Sequence, residues 1–490
     1  MFEVQNPTMI THLTDFPDKL SPMLVKELRQ GMRAKSFTLL FLAFQGLLAF
    51  ILLTAGAAAS SDDAGAFASG VIFTMFAGAA LFIQPMRGVS ALSSEISGNT
   101  IEIMVLTRLS AWRIVFGKWI AIVSQTALIL VTIVPYLILR YFFGGMNLAG
   151  EMVFLGLIFL TSMALTAIMV GLSGNATALV RLLPIGGFIF LMSRIPSLLF
   201  RGGFKSFMGF CAMTDSESRL AIAAYAVFII YIGWCALSHG TSVIAPVAEN
   251  HSTLRRLIAL GLVAATTVIG TIYKIHPDGL VLIFGIILVP SVVTALTERS
   301  VLLPPVCKPF LRNGLAGKVA SFVLLPGWPA GVFYATLLLS ISIGGIALAD
   351  SSKPANLDVQ TAIGALGCLG GVMLAALLAA HFTKQESRRF TNFMVFLLAS
   401  ILLAVIPMIL ASINNNHTKY LWLFIWNPPV SLFMSGSSGF VRSEVLSAVM
   451  IVDAIILLAL LVTAAKAFRA YRPIISEAEA ELKVPAVPGS

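Results

Sequence analysis

Residues 94–118 read SEISGNTIEIMVLTRLSAWRIVFGK, and residues 119–139 directly after them read WIAIVSQTALILVTIVPYLIL. The second stretch is apolar and long enough to cross a hydrocarbon core of about 30 Å, which takes about 20 helical residues. The first stretch is one of the longest polar interruptions in the chain. A protein that only spans a membrane has no use for two glutamates beside the bilayer, so this stretch predicts contact with a soluble partner.

The composition of the chain is that of a bilayer protein. Of its 490 residues, 58% are hydrophobic and 11% are charged, whereas soluble domains carry about 25% charged residues. The formal net charge of +10 does not indicate nucleic acid as a partner, because Lys and Arg in membrane proteins mark the side on which each loop lies. The cysteines are scattered without metal-ligand spacing, so we expect apolar packing residues and no metal site.

Apolar segments predict an all-α, polytopic bundle of about twelve membrane spans. They lie near 37–59, 67–85, 119–139, 152–172, 183–200, 220–246, 257–274, 279–296, 319–348, 359–381, 391–412 and 445–465. If both termini are cytoplasmic, most Lys and Arg fall on the inner side, as the positive-inside rule requires. We therefore expect a multi-pass protein of the inner or plasma membrane. The short apolar stretch 420–435 is interrupted by Pro428-Pro429 and predicts a re-entrant or interfacial segment.

The spans divide the chain into predicted parts. These are a cytoplasmic N-terminal arm (1–36), a first six-span half (37–250) with a polar elbow at 86–118, a second six-span half (251–468) and a disordered cytoplasmic tail (469–490). The breaks leave no room for a soluble catalytic domain. The nearest approach to a phosphate loop, at 314–318, lacks the first Gly and the final Ser or Thr of that motif. We expect no catalytic residue, no cofactor and no ATP hydrolysis by this chain.

The N-terminal arm predicts an amphipathic helix that begins at Ser21-Pro22, where Ser caps and Pro takes the first turn. At 100° per residue one face carries Leu24, Val25, Leu28 and Met32, and the other carries Lys26, Arg29 and Arg33. This pattern is typical of a helix that lies on the inner leaflet. Two interpretations stay open: an anchor for the first span, or a lever that contacts a cytoplasmic partner.

The polar stretch predicts two short helices with a break between them. Thr100 can cap a helix over 101–107 with Glu102 near its positive end. Ser110 can cap the next helix, which runs through Gly117-Lys118 into the third span. We expect Glu95 and Glu102 to face away from lipid, because an unpaired charge in the bilayer is costly.

These stretches resemble the permease subunits of type-two ABC exporters over about residues 22–145. The resemblance is carried by Val25-Lys26-Glu27-Leu28-Arg29-Gln30-Gly31 and by Glu95…Gly98-Asn99-Thr100-Ile101-Glu102…Thr107-Arg108-Leu109-Ser110…Ile114…Gly117-Lys118. The sequence departs from the family where Gly98 and Asn99 stand in reversed order and where Ile96 replaces a basic residue. It also departs in size, since family members usually bring six spans and work as dimers.

The resemblance implies an exporter permease that is driven by a separate ABC ATPase subunit. It implies that the ATPase contact is formed by Lys26, Glu27 and Arg29 of the amphipathic helix and by Glu95, Thr100, Glu102 and Arg108 of the elbow. It also implies a homodimer or a heterodimer within the lipid bilayer, and the choice between these stays open.

Two polar residues inside predicted spans are further candidates. Asp453 lies near the middle of the last span, where it either packs as a paired or protonated residue or lines a substrate or ion path. Arg194 lies nearer the end of a span, and whether it pairs with Asp453 stays open. Asp453 keeps an ion-coupled secondary transporter open as an alternative, and a non-transporting membrane scaffold is a third possibility.

Overall fold

The structure is a computed structural model of the 490-residue chain. It describes residues 22–57, 64–98, 110–141, 147–175, 209–246, 248–352, 357–413, 415–437 and 439–483. Across these residues the chain is helical with short connections, and no strand occurs in them. The predicted all-α class is confirmed.

The helices that the structure describes in residues 22–246 are mostly long and apolar. They are α1 (Pro22–Arg33), α2 (Lys35–Ala57), α3 (Ala64–Gly78), α4 (Gln84–Met86), α5 (Ser93–Ser97), α6 (Ala111–Tyr141), α7 (Leu148–Leu172) and α8 (Ser216–Ile244). A π-helical segment, Ala79–Ile83, joins α3 to α4, and a 3₁₀ turn, Arg87–Ser90, leads from α4 towards α5. The segment α3 to α5 therefore forms one long, irregular helix.

The remaining described helices continue the same pattern. They are α9 (Ser252–Ile272), α10 (Pro277–Thr297), α11 (Pro304–Leu311), α12 (Gly314–Leu324), α13 (Trp328–Ser352), α14 (Val359–Phe382), α15 (Arg389–Ile413), α16 (Pro428–Gly436), α17 (Arg442–Phe468) and α18 (Arg472–Lys483). Short 3₁₀ segments precede α15, at Glu386–Arg388, and α18, at Arg469–Tyr471.

Within the described residues, 11 helical segments are long and apolar enough to cross a membrane. They coincide with the predicted spans except for the one at 183–200, which lies outside the described residues. The chain is therefore a membrane-embedded, multi-pass helical protein. The predicted span 319–348 is wrong at its start: α13 begins at Trp328, because the chain turns at Gly327 with a φ of +108°. Residues 314–324 form the separate helix α12.

Contacts between helix ends show which ends lie side by side. The start of α5 meets the end of α7, where the Leu92 N–H donates to Ser173 Oγ at 2.9 Å. The end of α8 meets the start of α15, where the rings of His239 and Phe390 lie 4.4 Å apart. The start of α15 in turn contacts the start of α13. We call this side of the bundle, where most ion pairs described below also lie, the charged end.

Helix α8 packs on both parts of the bundle. The Tyr231 hydroxyl of α8 donates to the Ile287 carbonyl of α10 at 3.1 Å, and Tyr231 and Cys235 belong to the largest buried apolar cluster, formed mostly by helices after residue 250. On its other side, α8 approaches α7 so closely that a Cβ on Gly171 would lie 2.1 Å from the Ala236 carbonyl oxygen. The sixth predicted span therefore packs against helices of both predicted halves.

The predicted disorder of the tail 469–490 is wrong for its first part, because Arg472–Lys483 form α18. Two glutamates of this helix are paired with lysines. Lys308 Nζ lies 2.8 Å from Glu481 Oε2, and Lys318 Nζ lies 2.7 Å from Glu479 Oε1. Residues 484–490 lie outside the described residues.

The stretch 420–435 is broken as its prolines predict. A 3₁₀ segment, Asn415–Phe424, ends before α16 begins at Pro428. Neither piece is long enough to cross a bilayer core. The side chain of Asn427, directly before α16, is fully buried and donates to the Ser400 carbonyl of α15 at 2.7 Å. The junction between the two pieces is therefore packed against α15.

Candidate functional site

The N-terminal helix, the polar elbow and the third span meet at one side chain, Lys118 of α6. Its Nζ lies 3.1 Å from Glu27 Oε1 of α1 and 2.9 Å from Glu95 Oε1 of α5. The lysine side chain is 7% exposed and each glutamate 16%. We call Glu27, Glu95 and Lys118 the lysine joint.

The lysine joint holds three helices together through charges that are largely removed from water. Taking ionised groups out of water is costly, and breaking a buried pair by removing one partner costs about 3–5 kcal/mol. Lys118 serves two carboxylates at once, so both α1 and α5 depend on the same ammonium. A displacement of either helix therefore acts directly on α6.

Gly31 of α1 leaves room for the end of the Gln125 side chain of α6. A Cβ at Gly31 would lie 2.2 Å from Gln125 Nε2 of α6. Gln125 also accepts a short hydrogen bond from the Arg87 guanidinium, which follows α4. The amphipathic prediction for α1 agrees with its burial, since Leu28 is buried while Lys26 and Arg29 are exposed.

The second span changes geometry before it reaches the lysine joint. Its regular α-helix gives way to the π segment Ala79–Ile83 and to the 3₁₀ turn Arg87–Ser90, with Pro85 between them. Proline cannot donate to the preceding turn, and π segments interrupt the regular helical ladder. Glu95 is therefore carried by a short helix, α5, that is separated from α3 by a π segment and a 3₁₀ turn.

The structure describes only some of the residues predicted to contact an ATPase. It brings Glu27 and Glu95 together through Lys118, and it places Lys26 and Arg29 on the exposed side of α1. Thr100, Glu102, Arg108 and the intramembrane candidate Arg194 lie outside the described residues. Lys118 itself, quoted in the family motif, had no predicted role, because a spacing of residues does not reveal a pairing between distant helices.

A second buried ion cluster lies at the charged end, in the second half. Glu298 directly follows α10, and its Oε1 lies 2.5 Å from Arg255 Nη2 while its Oε2 lies 2.6 Å from Arg256 Nη2. Both arginines are 1% exposed. Burial by itself would raise the pKa of Glu298, but Arg256, Arg255 and the Gly327 N–H outweigh burial and hold the pKa below its ordinary value. We call Arg255, Arg256 and Glu298 the arginine cluster.

Arg256 also fixes the turn that precedes α13. Its guanidinium donates to the carbonyls of Val323, Leu325 and Gly327 at 2.6, 2.7 and 3.2 Å. The sequence analysis missed this cluster. A signal was present in the sequence. Arg255 and Arg256 begin one apolar span and Glu298 directly follows the next, so the three charges lie at the same end of two antiparallel neighbouring spans.

The two ion clusters share one arrangement. Glu95 and Glu298 each follow the second span of their predicted half, and each is held by basic residues of a neighbouring span. The residues leading to them are alike, Ala91-Leu92-Ser93-Ser94-Glu95 and Ala295-Leu296-Thr297-Glu298. Each predicted half therefore anchors the end of its second span at the charged end through a largely buried carboxylate.

Asp453 lies in the interior of the bundle and belongs to neither ion cluster. Its side chain is 6% exposed, and neither carboxylate oxygen has a hydrogen-bond partner among the described residues. It faces α14 at Gly370, where a Cβ would lie 2.1 Å from Asp453 Oδ1 and 3.1 Å from the Trp426 carbonyl oxygen. Two acceptor groups thus share the space that Gly370 leaves, next to a broken helix, and this arrangement suits a proton or a cation.

The described residues thus offer two kinds of candidate: ion clusters that tie helix ends together at the charged end, and an unpartnered acid inside the bundle. The first kind joins neighbouring helices, and the second has the chemistry of a site for a proton or a cation. Comparison of the chain with protein-family models, with curated proteins and with solved structures gave no match.

Proposed function

We propose that the chain is the permease subunit of an ATP-driven ABC exporter, with a separate ATPase subunit that docks at the charged end. The observation that carries this proposal is the lysine joint, in which one buried ammonium pairs with Glu27 and Glu95. Because Lys118 belongs to a long span, a push on α1 or α5 reaches the bilayer interior through α6. The resemblance of the same residues to exporter permeases supports this assignment.

The lysine joint also fixes where the elbow leaves the bundle. Helix α5 ends at Ser97 and α6 begins at Ala111, and the pair between Glu95 and Lys118 holds these two ends together. The elbow is therefore anchored at both ends beside α1, whose exposed Lys26 and Arg29 add positive charge to the same surface. An ATPase that binds this surface would move the elbow and α1 together.

In this proposal the work comes from the ATPase, and the permease supplies two conformations that differ in their affinity for the substrate. Closure of the ATPase on ATP displaces the charged end, and the spans attached to the lysine joint follow. The arginine cluster ties α9, α10 and the start of α13 together in the same way, so the second half responds as a unit.

Crosslinking tests the docking surface directly. We expect a photoreactive label on Lys26→Cys or Arg29→Cys to capture a nucleotide-binding subunit in native membranes, and the same label on Tyr273→Cys to capture none. Tyr273 is 63% exposed and follows α9 at the opposite end, so it is a matched control. Mass spectrometry of the adducts reads the result, and equal capture from Tyr273, or no ATPase from α1, would contradict the proposal.

Asp453 favours a second candidate, a transporter driven by an ion gradient. Its unpartnered carboxylate lies beside a broken helix, as ion sites of secondary transporters commonly do. We expect Asp453→Asn to leave the melting temperature equal or higher, because the amide removes a buried charge without changing shape. Substrate flux in vesicles separates the candidates: flux that needs a proton gradient, persists without ATP and is lost in Asp453→Asn supports the second.

A further inference from the structure

An open cleft of ≈ 450 Å³ lies at the charged end between α12, α13, α17 and α18. Its apolar lining includes Phe322, Phe333, Phe468 and Ile475, and its basic lining consists of Lys318, Arg469 and Arg472. Neither the lysine joint nor the arginine cluster contributes a residue to it. The cleft is therefore amphipathic and separate from the sites described above.

The cleft is lined by more positive than negative side chains. Lys318 pairs with Glu479 at 2.7 Å, and Glu479 is the single carboxylate in the lining. Arg469 and Arg472 are exposed and have no ion-pair partner among the described residues. Guanidinium groups present a planar set of donors that matches phosphate oxygens. Two unpaired arginines beside an apolar wall therefore indicate an anionic ligand with an apolar portion.

Helix α12 shows that the cleft lies at the level of the lipid headgroups. Leu315, Val319 and Phe322 are 83%, 68% and 49% exposed, and their spacing of four and three residues puts them on one face of the helix. Large apolar side chains in such a row are covered by acyl chains in a membrane protein. The neighbouring span α17 ends at Phe468, directly before Arg469, which is where an interface places aromatic and basic residues.

We propose that this cleft binds an anionic phospholipid from the leaflet that surrounds the charged end. The lipid phosphate lies between Arg469, Arg472 and Lys318, and the upper part of one acyl chain lies along Phe322 and Phe468. Basic pockets between membrane helices are established sites for anionic headgroups. A zwitterionic lipid carries a cationic group that the two arginines would repel. A free phosphate has no apolar part to cover the aromatic side chains. An anionic lipid therefore fits both the basic and the apolar lining of the cleft.

Native mass spectrometry of the full-length protein in detergent tests this proposal. The probes are dioleoyl phosphatidylglycerol, dioleoyl phosphatidylcholine, the chain-free headgroup glycerophosphoglycerol and inorganic phosphate. We expect phosphatidylglycerol to be retained in preference to phosphatidylcholine. The double variant Arg469→Gln/Arg472→Gln should lose this retention by about tenfold or more, because each basic residue contributes separately to the attraction of anionic lipid.

Two controls make the result specific. Lys384→Gln/Arg388→Gln removes two exposed basic residues near the charged end but outside the cleft, and it should retain phosphatidylglycerol like the wild type. Phe322→Gln should weaken binding of phosphatidylglycerol while leaving any binding of glycerophosphoglycerol unchanged. Both substitutions lie at exposed positions, so we expect folding to be preserved, and a melting curve of each variant checks this.

Several outcomes would overturn the proposal. Equal retention of phosphatidylglycerol and phosphatidylcholine by the wild type would show that charge does not select the ligand. Equal loss in both double variants would assign the effect to net charge rather than to the cleft. Competition by inorganic phosphate as strong as that by phosphatidylglycerol would indicate a simple anion site, in which the aromatic wall has no part.

Discussion

At the scale of single residues, Lys118 joins two helices to a third at the charged end. It holds α1 and α5 through separate carboxylates, so its removal leaves two glutamates without their shared cation. Arginine keeps the charge but is longer and planar, and it would have to fit a space that now holds a compact ammonium. The arrangement therefore depends on the shape of the lysine as well as on its charge.

We expect Lys118→Met to lower the free energy of unfolding by about 3 kcal/mol, since it breaks a largely buried pair. Differential scanning fluorimetry in detergent measures the effect. Lys466→Met, at an exposed position of α17, is the matched control and should melt like the wild type. Adding Glu27→Gln and Glu95→Gln to Lys118→Met should restore much of the stability by removing the stranded charges. Equal melting of Lys118→Met and Lys466→Met would contradict the role of the lysine joint.

The arginine cluster predicts a specific response to acid. The pKa of Glu298 lies below its ordinary value of 4.5, so its contribution to stability is complete above that value and is lost as the pH falls through the lower, folded-state pKa. The difference in melting temperature between the wild type and Glu298→Gln should therefore be largest near neutral pH and should shrink on acidification. A difference that stays constant from pH 7 to strongly acid conditions would show that the carboxylate charge is not what stabilises the cluster.

At the scale of helices, close approach is set by glycines rather than by charges. Helices α7 and α8 cross where Gly171 meets Gly240, and a Cβ on Gly240 would lie 2.8 Å from the Gly171 Cα. Small residues let membrane helices approach until their backbones touch. The same principle explains why α14 places glycines against Asp453 and against the broken segment before α16.

Gly171→Ala should destabilise the protein by about 1–3 kcal/mol. The new Cβ would clash with the Ala236 carbonyl, which is part of the backbone of α8 and cannot move without displacing that helix. Gly156→Ala lies in the same helix, and a Cβ there meets nothing within 4 Å. It should be neutral or should stabilise by about 0.5–1 kcal/mol through helix propensity. The melting temperatures of the two variants test this prediction. Equal melting temperatures would show that the α7–α8 crossing can accommodate an extra methyl group.

At the scale of the whole molecule, the charged end is expected to face the cytoplasm. In sealed inverted vesicles, a membrane-impermeant maleimide should label Lys26→Cys and Lys318→Cys from the exposed cytoplasmic face and should not label Tyr273→Cys. In intact cells or right-side-out vesicles the pattern should reverse. Labelling of Lys26→Cys and Tyr273→Cys from the same side would contradict both the orientation and the twelve-span topology.

The sequence predicted the spans well and the contacts between them poorly. Spans depend on local apolar length, which a single stretch such as 119–139 reveals, and the amphipathic face of α1 depends on local periodicity. The lysine joint and the arginine cluster depend on residues 91, 23, 43 and 42 positions apart, and no local pattern encodes such pairs. The start of α13 and the helix α18 were missed for the same reason, because each is fixed by distant partners.

Two ion pairs of α18 are open to water. In the first, Lys308 is 35% and Glu481 46% exposed. In the second, Lys318 is 50% and Glu479 31% exposed. Dissolved ions at about 1 M shorten the range of such attraction to about 3 Å. A purification step in concentrated salt would therefore weaken the ionic part of this helix's attachment, while its apolar contacts through Tyr471 and Ala478 and the buried clusters stay intact. Samples prepared in this way would be expected to show greater protease sensitivity after Phe468 than samples kept in dilute buffer.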